Sequence, residues 1–448
     1  TGSQLVDSKK KDNPPQSTPR SFGGAAPLHS PQNPPPKPQS GDATAAAQSP
    51  LTMSPPPPQR GRHSPPALDD DAMSEIFLRI PPDDPKSLVR AAAVCATWRR
   101  ILSDAAFARG YRAFHGAPPM LGFLHNESHE RSWGRGRRRR HEEYLVSNFV
   151  STASFRPPAC HERRHWPAID SRHGLVLFHT PKRCEDFVIC DLVTYDRWRI
   201  KADPACRRII WNGRFDEDWG DYEDEDDDVT WNAAVLCAKD GCEHLYCHGG
   251  PFLVAVVGSD RGRQITFATV YSSATRKWSG MISVKESNVV EMTGHNAVVG
   301  NKAYFPCEQS DSVVEYDMGE QKLSVIGAPF GRLVGAEGGL LLFATVLKPR
   351  LHLHIWSMEV RPDRTTALAR RRIIELAPKL SGYAFLDVSV VGFAEGVGVI
   401  FLSTKAGLYT VELSSGRIKN MDRERSLGKI MPYMCFYTRE WGRLPTSD

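Results

Sequence analysis

Between residues 68 and 115 the apolar positions recur at helical spacing. Met73, Ile76, Phe77 and Ile80 fall at i, i+3, i+4 and i+7, one stripe of an amphipathic helix. Asp69, Asp70 and Asp71 precede that stripe as N-cap candidates and suit the positive end of a helix dipole. Pro81 and Pro82 close it, because proline lacks the N–H that the next turn needs. Asp84 predicts a second cap, with Pro85 at the first helical position, where the missing N–H is of no consequence. Leu88, Ala91, Ala92 and Cys95 repeat the spacing, and Val94, Trp98, Ile101 and Leu102 draw a second apolar line along the same region. Ser103 or Asp104 caps a third helix carrying Phe107, Tyr111 and Phe114. A bundle of about 45 residues is a marginal core by itself. Part of this apolar surface is therefore expected to meet a partner.

After His115 the pattern changes to that of strands. A turn and an apolar strand occupy 116–124, and from about residue 144 onward short strands alternate with polar turns. A loose repeat is visible in the strand–turn–strand units 187–200, 268–280, 313–326 and 407–421. Gly-led strands at 172–179, 297–307, 336–346 and 393–404 lie between them. Successive units are spaced by roughly 40 to 55 residues, the range of four-stranded propeller blades. Each small sheet has apolar faces that need a neighbour, and closing a ring removes most open edges. The repeat is degenerate, so the number of blades stays open, with a β-sandwich or an irregular stack of sheets as the alternative. The predicted fold class is α+β multidomain: a small helical domain at 67–115, then an all-β, propeller-like domain at 116–448.

Residues 1–66 carry nearly half of the chain's 34 prolines and almost no large apolar residue, so this tail is expected to stay disordered with polyproline II character. Its PPKP and PPPP stretches read either as ligands for proline-reading domains or as a solvated tail. The chain opens on Thr1, and Met53 is a candidate start of translation. The net charge of +5 over 448 residues is small and hides two opposed runs. RSWGRGRRRRH at 131–141 reads as a nuclear-import signal, an RNA- or phosphate-binding patch or a solvated loop. FDEDWGDYEDEDDD at 215–228 reads as a solvated loop or as a segment that gates or docks a basic partner, the chain's own arginine run being one candidate. Overall charge makes no case for nucleic acid, and none is expected as a partner. No apolar run approaches the roughly 18 to 20 residues that span a bilayer, and no membrane association is expected. Ten cysteines without a secretory leader suit reduced thiols, which places the protein in the cytoplasm, the nucleus or both.

Candidate chemistry is sparse. Cys237, Cys242, His244, Cys247 and His248 offer thiolate and imidazole, but neither cysteine pair has the two-residue spacing of a zinc site and no second half follows. Two strands around a Lys239-Asp240-Gly241 turn account for the stretch more simply. Cys160, His161, His165, Cys184 and Cys190 form no known ligand spacing. No Gly-rich phosphate cradle and no nucleophile elbow is present, although Asp and His residues scattered through the strands are free to meet in three dimensions. No catalytic residue, metal or cofactor is assigned.

The order of residues in the helical stretch closely resembles the F-box, particularly the form found in large plant F-box families. The resemblance is carried by Leu68, Glu75, Ile76, Leu78, Arg79, Ile80, Pro81, Leu88, Val89, Arg90, Val94, Cys95, Trp98, Arg99, Ser103, Asp104 and Phe107, in order and in register. Departures are Asp69 where the family has proline, Met73 and Phe77 where it has leucine, and Ala96-Thr97 in place of a basic residue. The downstream strands resemble the kelch-like, F-box-associated propellers of plants. The resemblance implies docking on the Skp-type adaptor of a cullin-based ubiquitin ligase, with an unidentified target protein held by the β domain. Met73, Ile76, Phe77, Ile80, Pro81, Leu88, Val94, Cys95, Trp98 and Ile101 would divide between the helical core and the adaptor interface. Trp98 fits either role, as interface anchor or as centre of the bundle. Such a subunit performs no chemistry of its own. Two other functions remain open: a scaffold acting outside the ligase, and a propeller that binds a small molecule and reports it through the F-box.

Overall fold

Capping and proline placement set the helix bounds. The structure, a computed structural model, describes residues 68–133, 140–157, 165–180, 186–193, 196–202, 229–238, 250–285, 289–308, 311–377, 380, 387–421 and 427–436. All of them belong to one compact unit, Pro66–Asp448. The tail at 1–66, the acidic run at 215–228 and the tip of the arginine run at 134–139 lie outside the described residues. Helix α1 (Asp70–Leu78) starts at Asp69, whose carboxylate accepts from the Ala72 N–H at 2.7 Å, and it ends ahead of Pro81. Helix α2 (Pro85–Val94) follows Asp84, but that carboxylate does not cap the backbone. It accepts instead from Ser87 Oγ at 2.6 Å and from Ser154 Oγ, beyond the helices, at 3.2 Å.

Within 68–115 the sequence predicts three helices and the structure has four. The predicted second helix breaks at Cys95, whose backbone is extended (φ −156°, ψ 167°). Helix α3 (Ala96–Leu102) restarts there, with Cys95 Sγ accepting from the Trp98 N–H at 3.5 Å. Helix α4 (Ala105–His115) is capped by Asp104, one of the two predicted candidates, through the Ala106 N–H at 2.8 Å. The break reorients Ile101 and Leu102 so that both enter one core with Met73, Phe77, Leu88, Ala91, Ala92, Phe107 and Tyr111. Rings run through this core in sequence: Trp98 on Phe77 at 5.2 Å, Phe77 on Phe107 at 6.4 Å, Phe107 on Tyr111 at 5.9 Å. The row ends on Phe436 at 6.3 Å, a residue from the far end of the chain.

The strands build six small antiparallel sheets in a six-bladed propeller arrangement. The first sheet opens with β1 (Met120–Trp133) and β2 (Arg140–Ser151). The second holds β3 (Ala168–Arg172), β4 (Leu175–His179), β5 (Asp186–Asp191) and β6 (Arg197–Lys201) in that order. The third holds β7 (Val229–Cys237), β8 (Phe252–Asp260), β9 (Ile265–Ser272) and β10 (Lys277–Trp278), with β11 (Ile282–Val284) also on β9. The fourth is β12 (Ala297–Val299), β13 (Lys302–Pro306), β14 (Ser312–Asp317) and β15 (Lys322–Gly327). The fifth is β16 (Arg332–Glu337), β17 (Leu340–Leu347), β18 (His352–Val360) and β19 (Thr366–Glu375). The sixth is β20 (Ser389–Ala394), β21 (Val399–Thr404), β22 (Gly407–Glu412) and β23 (Ile418–Asn420). Strand β24 (Ile430–Met434) returns to pair with β1 and closes the ring.

The predicted units map onto hairpins. The strand–turn–strand stretches at 187–200, 313–326 and 407–421 are outer hairpins, and the Gly-led stretches at 297–307, 336–346 and 393–404 are inner ones. The strand that pairs with β7 is β8, with Cys237 opposite Phe252. Each pair of neighbouring blades shares an apolar layer, as expected when a small sheet must bury both faces. One joins Leu177, Phe187 and Ile189 to Val235, Val254 and Val256; another joins Ala255 and Val257 to Phe305 and Val314. The ring-closing sheet is sandwiched in the same way. Leu121, Leu124 and Tyr433 face Val176 and Phe178, while Phe123 and Ile430 face Val391 and Phe401.

Candidate functional site

The helical unit sorts the residues that the resemblance assigned jointly to core and adaptor. Met73, Phe77, Leu88 and Ile101 are buried in the bundle, and Ile80 and Trp98 are half-buried against it. Pro81 and Cys95 are exposed, as are Ile76 at 48% and Val94 at 63%. Three large apolar residues outside the assigned set, Leu68, Val89 and Phe114, are exposed as well. Large apolar side chains on a bundle this small are the part of the surface that internal packing leaves over.

A second site lies where the innermost strands converge. A cavity of about 270 Å³ is lined from β3, β16, β20 and β24, from His295 and Asn296 just before β12, and from Ala117 and Pro118 between α4 and β1. Its centre is Arg172, at the end of β3. The guanidinium Nη1 donates to both Glu395 oxygens at 3.0 and 3.1 Å, and Nη2 donates to Asn296 O at 2.7 Å and Oδ1 at 2.9 Å. Arg172 Nε lies 3.3 Å from Asp170 Oδ2. The carboxylates are tied further to the frame: Asp170 accepts from the Val235 N–H at 2.9 Å and Glu395 from the Ala336 N–H at 3.1 Å. Asn296 donates onward to Ala233 O at 2.8 Å. Burial disfavours the Arg172 cation, but Glu395 and Asp170 outweigh it and hold the pKa above its ordinary value. Five blades thus meet through one guanidinium.

Three inner strands carry a β-bulge at the same place, three residues before the last paired one. Ile169 of β3, Val334 of β16 and Val391 of β20 each drop out of register with the neighbouring strand. A bulge leaves a residue out of the ladder and re-aims the groups around it. Two of these residues offer their carbonyls to axial side chains: Ile169 O accepts from Lys429 Nζ at 2.9 Å and Val391 O from His295 Nε2 at 2.8 Å. Burial, reinforced by Lys429, lowers the His295 pKa to about 3, so the ring is neutral with its proton on Nε2. Burial also lowers the Lys429 pKa to about 8; Asp170 and Glu291 oppose the shift, and Arg172 adds to it. The sequence reading assigned no role to Asp170, Arg172, His295, Glu395 or Lys429. The available signal was a charge at the end of an apolar strand, just before a Gly turn, as in Arg172-His173-Gly174 and Glu395-Gly396.

No group of metal-ligating side chains occurs among the described residues. Cys190 is buried in an interblade core and Cys237 is half-buried at the end of β7. His165 sits 6.3 Å from the Tyr144 ring. Cys160, His161, Cys184, Cys242, His244, Cys247 and His248 lie outside the described residues.

No family model matches the chain, and no curated protein matches it. Among solved structures the chain is similar to Kluyveromyces lactis Hsv2, at 11% identity and a TM-score of 0.32, over 58% of this chain and 66% of that one. It is similar to a chain of the mitotic checkpoint complex at 7% identity and a TM-score of 0.29, over 56% and 63%. It is also similar to Porphyromonas gingivalis dipeptidyl peptidase 4 at 10% identity and a TM-score of 0.27, over 69% and 45%. In each case the match spans less than two thirds of the other chain's length.

Proposed function

We propose that this chain is the substrate-recognition subunit of a ubiquitin ligase built on a Skp-type adaptor and a cullin. The helices dock on the adaptor and the propeller holds a target protein. The observation that carries the reading is that Ile76, Pro81, Val94 and Cys95, all on the F-box-like pattern, stand exposed on the bundle, while Met73, Phe77, Leu88 and Ile101 of the same assigned set are packed in its core. A six-bladed propeller is a fitting target-binding part, because its interstrand loops sit on a rigid frame. The chain then acts by position: holding a target next to the charged ubiquitin carrier raises the effective concentration of its lysines.

The attachment of helices to propeller favours such a role. Phe436, two residues past β24, is buried in the helical core, and Ser154 reaches back to Asp84. The Cys435 N–H donates to Pro119 O at 3.2 Å, pinning the segment after β24 beside the linker. The test is a pull-down of the full chain on recombinant Skp-type adaptor, comparing wild type with the Ile76→Ser, Val94→Ser double variant. Both side chains are exposed, so melting should be unchanged while adaptor capture is lost. Undiminished capture by a folded double variant would overturn the docking claim.

A further inference from the structure

Strand β19 is an open edge. It stands at the end of its sheet, and its side away from β18 pairs with no strand among the described residues. At ten residues it is longer than β6, β15 and β23, the outer strands of the second, fourth and sixth blades, which have five, six and three. Three arginines follow one another at its centre, Arg370, Arg371 and Arg372. Arg370 pairs with Trp356 and Arg372 with Ile355, so Arg371 bulges out of the ladder. Arg370 lies over the Trp356 ring, 5.9 Å from its centroid, and Arg372 donates to the Leu413 and Ser414 carbonyls of the sixth blade. Arg370 and Arg371 are exposed. Nearby carboxylates are engaged elsewhere: Glu359 pairs with Arg361, Asp363 accepts from Thr365, and Glu412 accepts from Ser414 and Ser415. Glu375, at the far end, is the one acid on β19, and the flanking outer strands β15 and β23 add Lys322 and Lys419 without a carboxylate. Leu368 and Ile373 bracket the arginines at 50% and 42% exposed.

We propose that an extended acidic segment of a partner protein adds to the open edge of β19, its carboxylates on Arg370 and Arg371 and its apolar side chains against Leu368 and Ile373. A strand edge offers N–H and C=O groups that another extended backbone matches, while side chains along it confer selectivity. Here the charge selects. A second copy of β19 would set arginine against arginine, so the edge is guarded against itself, whereas an acidic strand meets it with opposite charge. Nucleic acid would engage the arginines but leave the edge N–H groups, Leu368 and Ile373 unmatched. The proposal deepens the target-holding role of the propeller and rests on that reading for the partner being a ligase target. Its test omits the adaptor, so failure here and failure of adaptor docking are read separately.

Fluorescence anisotropy on the full chain at low salt tests it. The probe is a labelled peptide that alternates glutamate with valine over the length of β19. Controls are its lysine-for-glutamate counterpart, a version with proline in place of alternate valines, which removes backbone donors, and single-stranded DNA. The acidic peptide should bind at least about tenfold tighter than the lysine and proline versions. Arg370→Glu with Arg371→Glu should weaken it at least about tenfold, since two exposed charge pairs are lost and become repulsive. Arg371→Glu alone, which disturbs no contact with Trp356, should weaken it about threefold. Both variants leave the arginine run at 131–141 intact, so the loss reports on β19, and DNA binding should not change. Circular dichroism establishes folding, and either folded variant suffices. Absence of acidic-peptide binding, equal binding of the lysine or proline version, wild-type affinity in a folded variant, or an equal loss of DNA binding overturns the proposal.

Discussion

Phe436 is the point at which propeller closure and helix packing can be separated by experiment. It follows β24 and is 5% exposed, edge-on to Tyr111 at 6.3 Å and 77°. Tyr111 in turn donates through Oη to Ile80 O at 2.7 Å, holding the segment after α1 against α4. Phe436→Ala removes a ring from the end of the aromatic row and leaves a void beside Tyr111. Phe-to-Ala substitutions in cores cost about 3–5 kcal/mol. A bundle of roughly 46 residues, at about 0.05–0.15 kcal/mol each, holds some 2–7 kcal/mol. The substitution therefore removes most of the helical unit's margin, while the interblade layers keep every side chain. Native-state hydrogen exchange reads this directly: amides of α1 to α4 should lose about two to four decades of protection, and those of β4, β8 and β14 should keep theirs. Unchanged protection in α1 to α4 would refute the claim that the closing segment completes the helical core. An equal loss across the blades would refute the claim that the effect is local.

Three further outcomes follow from the axis and the blades. Arg172→Met leaves Asp170 and Glu395 without their cation, and stripping one partner from such a cluster costs about 3–5 kcal/mol in denaturant unfolding; a loss under about 1 kcal/mol would mean that the guanidinium does not tie the blades together. His295, with a folded pKa near 3 against 6.5 for the free side chain, stays neutral in the native protein while the unfolded chain takes up a proton. The stability it contributes is present above pH 6.5 and is lost as pH falls toward 3, so His295→Gln should show a smaller fall in Tm between pH 6.5 and 4 than wild type. At Gly258 of β8 an added Cβ would lie 2.4 Å from Phe267 Cζ and 2.8 Å from Thr230 O on β7. Gly258→Ala should cost about 1–3 kcal/mol by overpacking, and a neutral effect on the denaturation midpoint would show that the ring and strand can yield.

What the sequence disclosed divides along the range of the interactions. Caps and stripes are local, so Asp69, Asp104 and the prolines after α1 mark helix ends correctly. The break at Cys95 is not local: Ala-Val-Cys-Ala contains no glycine or proline, and the extended turn is stabilised by the placement of Ile101 and Leu102 in the shared core. Gly turns and alternation expose the hairpins, whereas the count of six blades needs the closing strand. That strand is disguised by Pro432, which ordinarily argues against a strand inside a sheet, and by its pairing with β1 some 300 residues away. The second half of β1, HNESHERSW, is too polar to read as strand and is carried by its pairing with β2.

The axial site lay furthest from view for the same reason. Arg172 and Glu395 are 223 residues apart, and Lys429 and Ile169 are 260 apart, so no window of the sequence contains either pair. What recurs locally is the bulge, set at one position in β3, β16 and β20, which yields a free carbonyl near the axis wherever an inner strand needs one. The repeat thus encodes the frame of the cavity, and the residues that break the repeat, Arg172, His295 and Lys429, encode its chemistry.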